Sequence, residues 1–267
     1  MKDKVIVITG ASSGIGRALA KEFALRNCKL ALAARRINLL EELKNELTQT
    51  DVLICQTDVS VESDCKKLID ETLAYFGQID VLINNAGISM RALFEDVDLD
   101  VLHKLMNVNF WGTVYCTKHA LPYLLKTKGS VVGVISIVGY IGLPGRTGYA
   151  ASKFAVRGFL DTLRIENRKK GLHVLVAAPG FTASEVRKVA LTADGSRQGE
   201  TPREENKMMT AQKCAQHIAK AVVKRKKRLV LTFWEGKMSV FLSNFFPSLV
   251  EKVSYSMMAK EPHSPLK

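Results

Sequence analysis

The sequence predicts an α/β fold: a doubly wound, mostly parallel sheet of seven strands with helices on both faces. Short apolar strands alternate with helical patterns through residues 5–232, and most of the connections between them are short. The strands are continuous apolar runs, as in residues 5–8, which is typical of a parallel sheet buried on both faces. At 267 residues, the chain is expected to form one domain, 1–267.

The composition is that of a globular protein with excess basic charge, formally +13. We attribute this charge to a solvated basic surface and a phosphate-bearing cofactor; nucleic acid is not expected as a partner, because no nucleic-acid motif appears. Five cysteines without metal-ligand spacing predict reduced packing residues and no metal site. The first strand begins by about Val5 and leaves no room for a signal peptide, so a cytoplasmic location is expected.

A glycine-rich turn, residues 9–16, follows the first strand and precedes a helical pattern. Glycines let the backbone approach a phosphate, and a helix N-terminus offers free N–H groups with a partial positive charge. The alternative is a tight turn that binds nothing. Strand, turn and helix in this order favour the dinucleotide site of a Rossmann fold.

The end of the second strand, residues 30–33, indicates which dinucleotide binds. An acidic residue near this point holds the ribose hydroxyls of NAD, whereas an arginine accommodates the 2′-phosphate of NADP. No acid occurs here before Glu41, and Arg35 follows the strand with Arg36 as support. The pattern therefore predicts NADP(H), the alternative being that both arginines only face solvent.

Polar residues also follow the third and fourth strands, at the sheet edge where ligands of such folds bind. Asp58 and Val59 follow residues 52–55, and the Asp58 carboxylate is expected either to contact the adenine amino group or to cap a helix. The second turn, residues 84–87, follows the fourth strand.

Tyr149 and Lys153 lie four residues apart on a predicted helix, so the lysine charge can act on the phenol hydroxyl. Ser136 stands near the carboxyl end of the fifth predicted strand, residues 131–137. Asn109 lies inside a helical pattern over about 99–125, in which Pro122 predicts a kink or break. Taken alone, an asparagine in this position is more often a polar core residue than a catalytic one.

In this order the motifs resemble the short-chain dehydrogenase/reductase family in its shorter, single-domain form. The likeness covers roughly residues 4–182, through TGASSGIG, NNAG, the asparagine of MNVNFWG, the serine of ISIVG, YAASK and APG. It implies an oxidoreductase that interconverts a ketone and a secondary alcohol. Tyr149 would be the acid/base, with its pKa lowered by Lys153. Ser136 would hold the substrate oxygen, and Asn109 would place a water in a proton relay.

The cofactor site is expected to involve a larger set of residues, taken from the turns and from the resemblance. Its members are Gly10, Ser12, Ser13, Gly14, Ile15, Gly16, Arg35, Asp58, Val59, Asn85, Ala86, Gly87, Tyr149, Lys153, Pro179, Gly180 and Thr182.

Residues 1–180 are expected to hold the cofactor and the catalytic groups, with residues 181–210 as a substrate lid and residues 233–260 as a C-terminal helical extension. The apolar stripe of this extension predicts packing, including one wall of the substrate pocket. The alternative is an interfacial segment that contacts an anionic membrane and admits lipid-like substrates, which would make the protein membrane-associated.

The expected partners are an apolar or lipid-like carbonyl or alcohol substrate and further copies of the chain in a homodimer or homotetramer. Two alternatives to the leading function stay open. One is a broad-specificity carbonyl reductase, and the other is a non-catalytic NADP-binding sensor or scaffold. Retention of Asn109, Ser136, Tyr149 and Lys153 argues against the second.

Overall fold

The computed structural model describes residues 1–183, 185–199, 201 and 208–266. It contains one sheet of seven parallel strands in the order β3-β2-β1-β4-β5-β6-β7, which confirms the predicted fold class. Strand order reverses between β1 and β4, and ligands of such sheets bind outside the strand ends at this point. The strands are β1 Val5–Thr9, β2 Lys29–Ala34, β3 Val52–Gln56, β4 Val81–Asn84, β5 Ser130–Val134, β6 His173–Ala178 and β7 Arg228–Val230.

Helices cover both faces of the sheet and enclose two apolar layers. The α-helices of the described residues are α1 Gly14–Ala24, α2 Ile37–Glu46, α3 Glu62–Phe76, α4 Leu99–Leu105, α5 Gly112–Lys126, α6 Thr147–Glu166, α7 Ala211–Val223, α8 Ser239–Phe245 and α9 Pro247–Ala259. Apolar side chains of α1, α2 and α7 pack on one face, and those of α3, α5 and α6 pack on the other. The five cysteines are free and buried, as expected for packing residues.

A π-helical segment, Met106–Trp111, joins α4 to α5. The sequence predicted an irregularity at Pro122, but α5 runs through this proline without ending. The irregular turn lies earlier and contains Asn109, whose side chain bonds outside the helix. Such insertions are frequent at functional sites.

Strand β5 ends at Val134, three residues before the predicted end. The chain then turns, because the Ser136 hydroxyl accepts a hydrogen bond from Val138 N at 3.3 Å and caps a 3₁₀ turn, Ile137–Gly139. Ser136 therefore follows the strand instead of belonging to it.

The C-terminal extension is helical, as predicted: a π-helical turn, Phe233–Met238, leads into α8 and α9. Of the segment expected to form a lid, residues 184, 200 and 202–207 lie outside the described residues. Its described part carries short bridges, including one between Met90 and Leu191. Among the helices of the described residues, none has the length and apolar character needed to cross a bilayer.

Candidate active site

The glycine-rich turn and the turn after β4 pack directly on each other. Gly10 has φ +67°, and a side chain there would lie 2.8 Å from the Ala86 Cα; one on Gly16 would lie 2.2 Å from the Gly10 carbonyl oxygen. The Asn85 amide donates to the carbonyl oxygens of Thr9 at 3.0 Å and Gly10 at 3.3 Å. Only glycine fits at positions 10 and 16, which lets the two turns pack closely, and Gly10 lines the groove beside them.

This groove, of about 530 Å³, lies at the carboxyl ends of the strands and contains most of the predicted cofactor residues. Those that line it are Gly10, Ser12, Ser13, Gly14, Ile15, Arg35, Asp58, Val59, Asn85, Ala86, Gly87, Tyr149 and Lys153. Gly16 packs behind the turn. Pro179, Gly180 and Thr182 line a neighbouring cavity, which shares Ile15, Ile135, Tyr149 and Val186 with the groove.

Arg36 is the arginine that reaches the glycine-rich turn. Its guanidinium donates to the hydroxyls of Ser12 at 3.2 Å and Ser13 at 2.9 Å, and it lies 3.5 Å from the Glu185 carboxylate. Arg35 instead lies 3.9 Å from the Asp58 carboxylate, and its side chain is 60% exposed. Both line the groove, but the sequence assigned the leading role to Arg35, whereas Arg36 is closer to the hydroxyls of the turn.

The Asp58 carboxylate caps a turn and does not cap α3. It accepts hydrogen bonds from the backbone N–H and the hydroxyl of Ser60 at 3.0 and 2.7 Å, whereas α3 begins at Glu62 after Val61. This turn directs Asp58 along the groove wall, where it remains a candidate for cofactor contact.

Tyr149 lines both the groove and the neighbouring cavity, and Ser136 lines that cavity with it. Helix α6 supplies the tyrosine, and the turn after β5 supplies the serine. A group held between them therefore lies next to the groove. This cavity, of about 110 Å³, is mostly apolar, with walls that include Ile137, Val138, Leu143, Phe181 and Met258.

The pKa of Tyr149 differs from the sequence expectation. Burial raises the pKa of the phenol, while hydrogen bonding to Ser136 and the charges of Arg146 and Arg187 act in the opposite direction. Among the groups of the chain itself, desolvation is the largest effect on this pKa, so the lowering expected from Lys153 together with an oxidised nicotinamide stays a prediction. The lysine ammonium lies 5.8 Å from the centroid of the tyrosine ring.

Lys153 is almost fully buried, and its ammonium donates to the Val134 carbonyl oxygen at 3.1 Å. Burial lowers the pKa of this lysine from 10.5 to about 8. A charged amine in such a place is costly, and perturbed groups of this kind cluster at functional sites. The amine lines the groove and can donate to a cofactor there.

Asn109 links the chain after β4 to helix α6 by three hydrogen bonds, two with Ile88 and one with Ser152. Its amide nitrogen donates to the Ile88 carbonyl oxygen at 3.0 Å and to the Ser152 hydroxyl at 2.9 Å, and its amide oxygen accepts from Ile88 N at 2.9 Å. The Ser152 hydroxyl in turn donates to the Tyr149 carbonyl oxygen at 2.8 Å. Asn109 thus ties helix α6 to the wall of the groove, and sequence reasoning missed Ser152 as the intermediate.

The sequence also did not predict the charged side chains that line the cavity. Arg146, Arg187 and Glu261 line it, and each is buried. Glu261 pairs with Arg91 at 3.4 Å. Arg146 could have been found from the sequence, because it lies three residues before Tyr149. Glu261 gave no such signal, because it lies more than a hundred residues further along the chain. Groups of three or more residues able to bind a metal do not occur among the described residues.

A family model described as short chain dehydrogenase matches residues 4–194. The chain therefore belongs to the short-chain dehydrogenase family of oxidoreductases, as the motif order predicted, and members of this family bind NAD or NADP.

Two curated relatives extend over nearly the whole chain. The Mus musculus protein "Dehydrogenase/reductase SDR family member 7B" is 36% identical over 99% of this chain and 84% of its own length. The Arachis hypogaea protein "11-beta-hydroxysteroid dehydrogenase A" is 35% identical over 98% of this chain and 77% of its own length.

Two solved structures are also similar. An alcohol dehydrogenase from the archaeon Thermococcus sibiricus, complexed with 5-hydroxy-NADP, is 27% identical with a TM-score of 0.74, covering 85% of this chain and 94% of that one. A short-chain dehydrogenase/reductase from Burkholderia phymatum in complex with NAD has a TM-score of 0.78 over 98% of this chain and 96% of that one. At 22% identity, the second likeness shows the fold alone.

Proposed function

We propose that the protein is an NADP-dependent oxidoreductase that interconverts a ketone and a secondary alcohol, with Tyr149 as the acid/base. The observation that carries this proposal is the position of Tyr149 between two spaces, since its side chain lines both the dinucleotide groove and the cavity that contains Ser136. A carbonyl carbon held in the cavity can then lie beside a cofactor held in the groove.

The groove fits a dinucleotide. It is lined by the glycine-rich turn at Gly10, where a side chain would collide with Ala86, and by the N-terminus of α1 at Gly14. Arg36, against the hydroxyls of Ser12 and Ser13, supports NADP over NAD, because a guanidinium beside hydroxyl donors suits a 2′-phosphate. When bound, the nicotinamide supplies or accepts the hydride.

The residues of the chain move and hold the proton. In reduction, the Tyr149 hydroxyl donates its proton to the carbonyl oxygen, while the Ser136 hydroxyl hydrogen-bonds to the same oxygen and stabilises its developing charge. The raised pKa of Tyr149 keeps this phenol protonated, as a proton donor requires. In oxidation, the cationic side chains of Arg146 and Arg187 favour the phenolate that must form.

Lys153 and Asn109 prepare this geometry. The lysine amine faces the groove, and its lowered pKa makes it able to exchange a proton near neutral pH. The Asn109 amide oxygen and the lysine amine both lie beside Gly87, where a side chain would come within 3.0 and 3.2 Å of them. A water held there would continue a proton path from Tyr149.

The apolar wall of the cavity, with Met258 contributed by the C-terminal extension, supports an apolar and lipid-like substrate. The relative whose name refers to an 11-beta-hydroxysteroid supports the same class. A broad-specificity carbonyl reductase would reduce small and large carbonyls with similar efficiency, so the spread of kcat/KM over a substrate panel separates the two.

The test is reduction of a panel of keto-lipids, ketosteroids and small carbonyls, followed by NADPH oxidation with NADH as control. Tyr149→Phe is expected to lower turnover at least about a thousandfold, because the proton donor is lost, while NADPH binding measured by fluorescence is retained. A variant that keeps most of its activity would contradict the assignment. If the wild-type protein binds NADPH but reduces no carbonyl, the non-catalytic sensor or scaffold is supported instead.

The same proposal includes contact with an anionic membrane surface through the C-terminal extension. The extension carries a set of exposed apolar side chains together with exposed cationic residues such as Lys237 and Lys252. Its members are Phe233, Trp234, Phe241, Phe245, Phe246, Leu249, Val253 and Tyr255. We propose that the protein is cytoplasmic and binds the anionic membrane surface reversibly through this extension. It forms a homodimer or homotetramer through parts of its surface outside the extension.

Cosedimentation with anionic vesicles at low salt tests the membrane contact. Phe245→Ser with Phe246→Ser is expected to lower the bound fraction about tenfold, since each substitution removes a large apolar surface. Ile165→Ser, at an exposed site on α6, is the matched control and is expected to bind as the wild type does. Equal binding by all three proteins, or none by the wild type, would contradict the proposal.

A further inference from the structure

Arg146 is a buried cation in the substrate cavity that no carboxylate of the described residues pairs with. It precedes α6 directly, is only 9% exposed, and lines the cavity together with Ser136 and Tyr149. Within 4 Å of its guanidinium, the described residues place no acidic side chain, although the cavity contains Glu261. Buried guanidinium groups normally have an anionic partner, because an uncompensated charge is costly to bury.

One end of this guanidinium is already engaged. Its Nη1 atom donates to the Ser89 hydroxyl at 3.3 Å and to the Met90 carbonyl oxygen, which fixes the plane of the group against the chain after β4. The Nε and Nη2 donors make no hydrogen bond to the described residues. A planar guanidinium held at one end presents its remaining donors in a fixed geometry, which suits a carboxylate.

The charge of Glu261 raises the pKa of Arg146 from a distance, but its carboxylate forms no ion pair with Arg146 within 4 Å. Glu261 pairs at 3.4 Å with Arg91, which also donates to the Pro262 carbonyl oxygen at 2.7 Å. Arg187 also lines the cavity, adds a second guanidinium and donates to the Thr182 carbonyl oxygen at 2.9 Å. Burial lowers the pKa of Arg146 to about 10, so the group is still cationic at neutral pH.

We propose that Arg146 binds a carboxylate of the substrate, and that the substrate is therefore an amphiphilic oxo acid or the corresponding hydroxy acid. The carboxylate would occupy the free guanidinium donors near the N-terminus of α6, whose partial positive charge also favours an anion. The aliphatic part would lie on the apolar wall, and the carbonyl oxygen would lie between Ser136 and Tyr149. This inference rests on the proposed function and narrows its substrate class.

The test compares methyl-ketone acids of increasing chain length with their primary amides, which are neutral and of similar size. The wild-type protein is expected to show a kcat/KM about 10- to 100-fold higher for an acid than for its amide, mainly through KM. In Arg146→Gln, which keeps a donor for Met90 but loses the charge, this preference is expected to disappear. Arg146→Lys should retain part of it, and Arg168→Gln, at an exposed site, should retain all of it.

A second measurement does not depend on turnover. Straight-chain carboxylates are expected to raise the Tm of the wild-type protein more than the matching amides do, and this difference should vanish in Arg146→Gln. If Arg146→Gln does not fold, the wild-type comparison and Arg146→Lys decide the question.

Three outcomes separate the explanations. Equal kcat/KM for acids and amides in the wild type overturns the inference and leaves the proposed function standing. If Arg146→Gln lowers kcat equally for acids and amides and leaves their kcat/KM ratio unchanged, Arg146 acts only through Tyr149, and the inference is also overturned. If no ketone is reduced but carboxylates still raise the Tm through Arg146, the anion site stands and the proposed function fails.

Discussion

The buried amine of Lys153 makes the free energy of unfolding depend on pH in a way that can be calculated. Folding lowers the pKa of this lysine from 10.5 to about 8. The unfolded chain therefore binds more protons than the folded chain between these pH values, and stability rises with pH in this window. Below about pH 8 both states are protonated and the cost of burying the charge is fully present, whereas above 10.5 both are neutral and the cost is gone.

The magnitude follows from the size of the change, and it corresponds to about 3 kcal/mol. Other groups also titrate at high pH, including Tyr149, whose raised pKa has the opposite effect on stability. Comparison with Lys153→Met removes most of these shared contributions, because the methionine fills a similar volume and carries no charge. At pH 7.5 the free energy of unfolding of Lys153→Met should exceed that of the wild type. This excess should shrink by about 3 kcal/mol by pH 10.5, as the change in pKa requires.

Urea unfolding followed by circular dichroism at fixed protein concentration measures this difference at each pH. Lys169→Met, at an exposed site, is the matched control and is expected to differ from the wild type by a constant amount. If the difference in free energy of unfolding between Lys153→Met and the wild type changes by less than about 1 kcal/mol over this pH range, folding does not lower the pKa of the buried amine as the structure indicates.

Two further predictions concern the cofactor and the core. Arg36→Gln is expected to raise the KM for NADPH about 10- to 100-fold with little change for NADH, and Arg35→Gln is expected to have a smaller effect. Steady-state kinetics with both cofactors measure this. An equal rise in the KM for NADH would contradict a role of Arg36 in binding the 2′-phosphate. Asp80→Ala is expected to lower the free energy of unfolding by about 2 to 4 kcal/mol, since the buried carboxylate accepts from Val5 N at 2.9 Å and from Lys4 at 2.8 Å. Urea unfolding measures this loss. A loss below about 0.5 kcal/mol would contradict the stabilising role of these hydrogen bonds.

The sequence was sufficient for the fold, and it named candidate residues for the site, because both depend on local patterns. Continuous apolar strands alternating with helices favour a parallel sheet, and the glycine turn allows a close backbone approach that a side chain would prevent. Tyr149 and Lys153 are separated by four positions, which is a helical spacing, so the two side chains share one face of α6 whatever surrounds them.

Element boundaries were less accessible because they depend on contacts made after folding. Strand β5 ends at Val134 since the Ser136 hydroxyl captures Val138 N, which no strand propensity predicts. Likewise, the helical irregularity occurs at Asn109 and not at Pro122, because the asparagine side chain bonds to the backbone of Ile88.

Only the tertiary structure decided the electrostatics of the site. Spacing alone suggested that Lys153 lowers the pKa of Tyr149, but burial raises it, and the degree of burial depends on the whole cavity. In the same way, Arg36 and not Arg35 reaches the glycine-rich turn. The sequence by itself therefore determined the fold and named candidate reacting groups. Only folding brings the distant Glu261, which pairs with Arg91, into one cavity with Arg146, a cation that no carboxylate of the described residues pairs with.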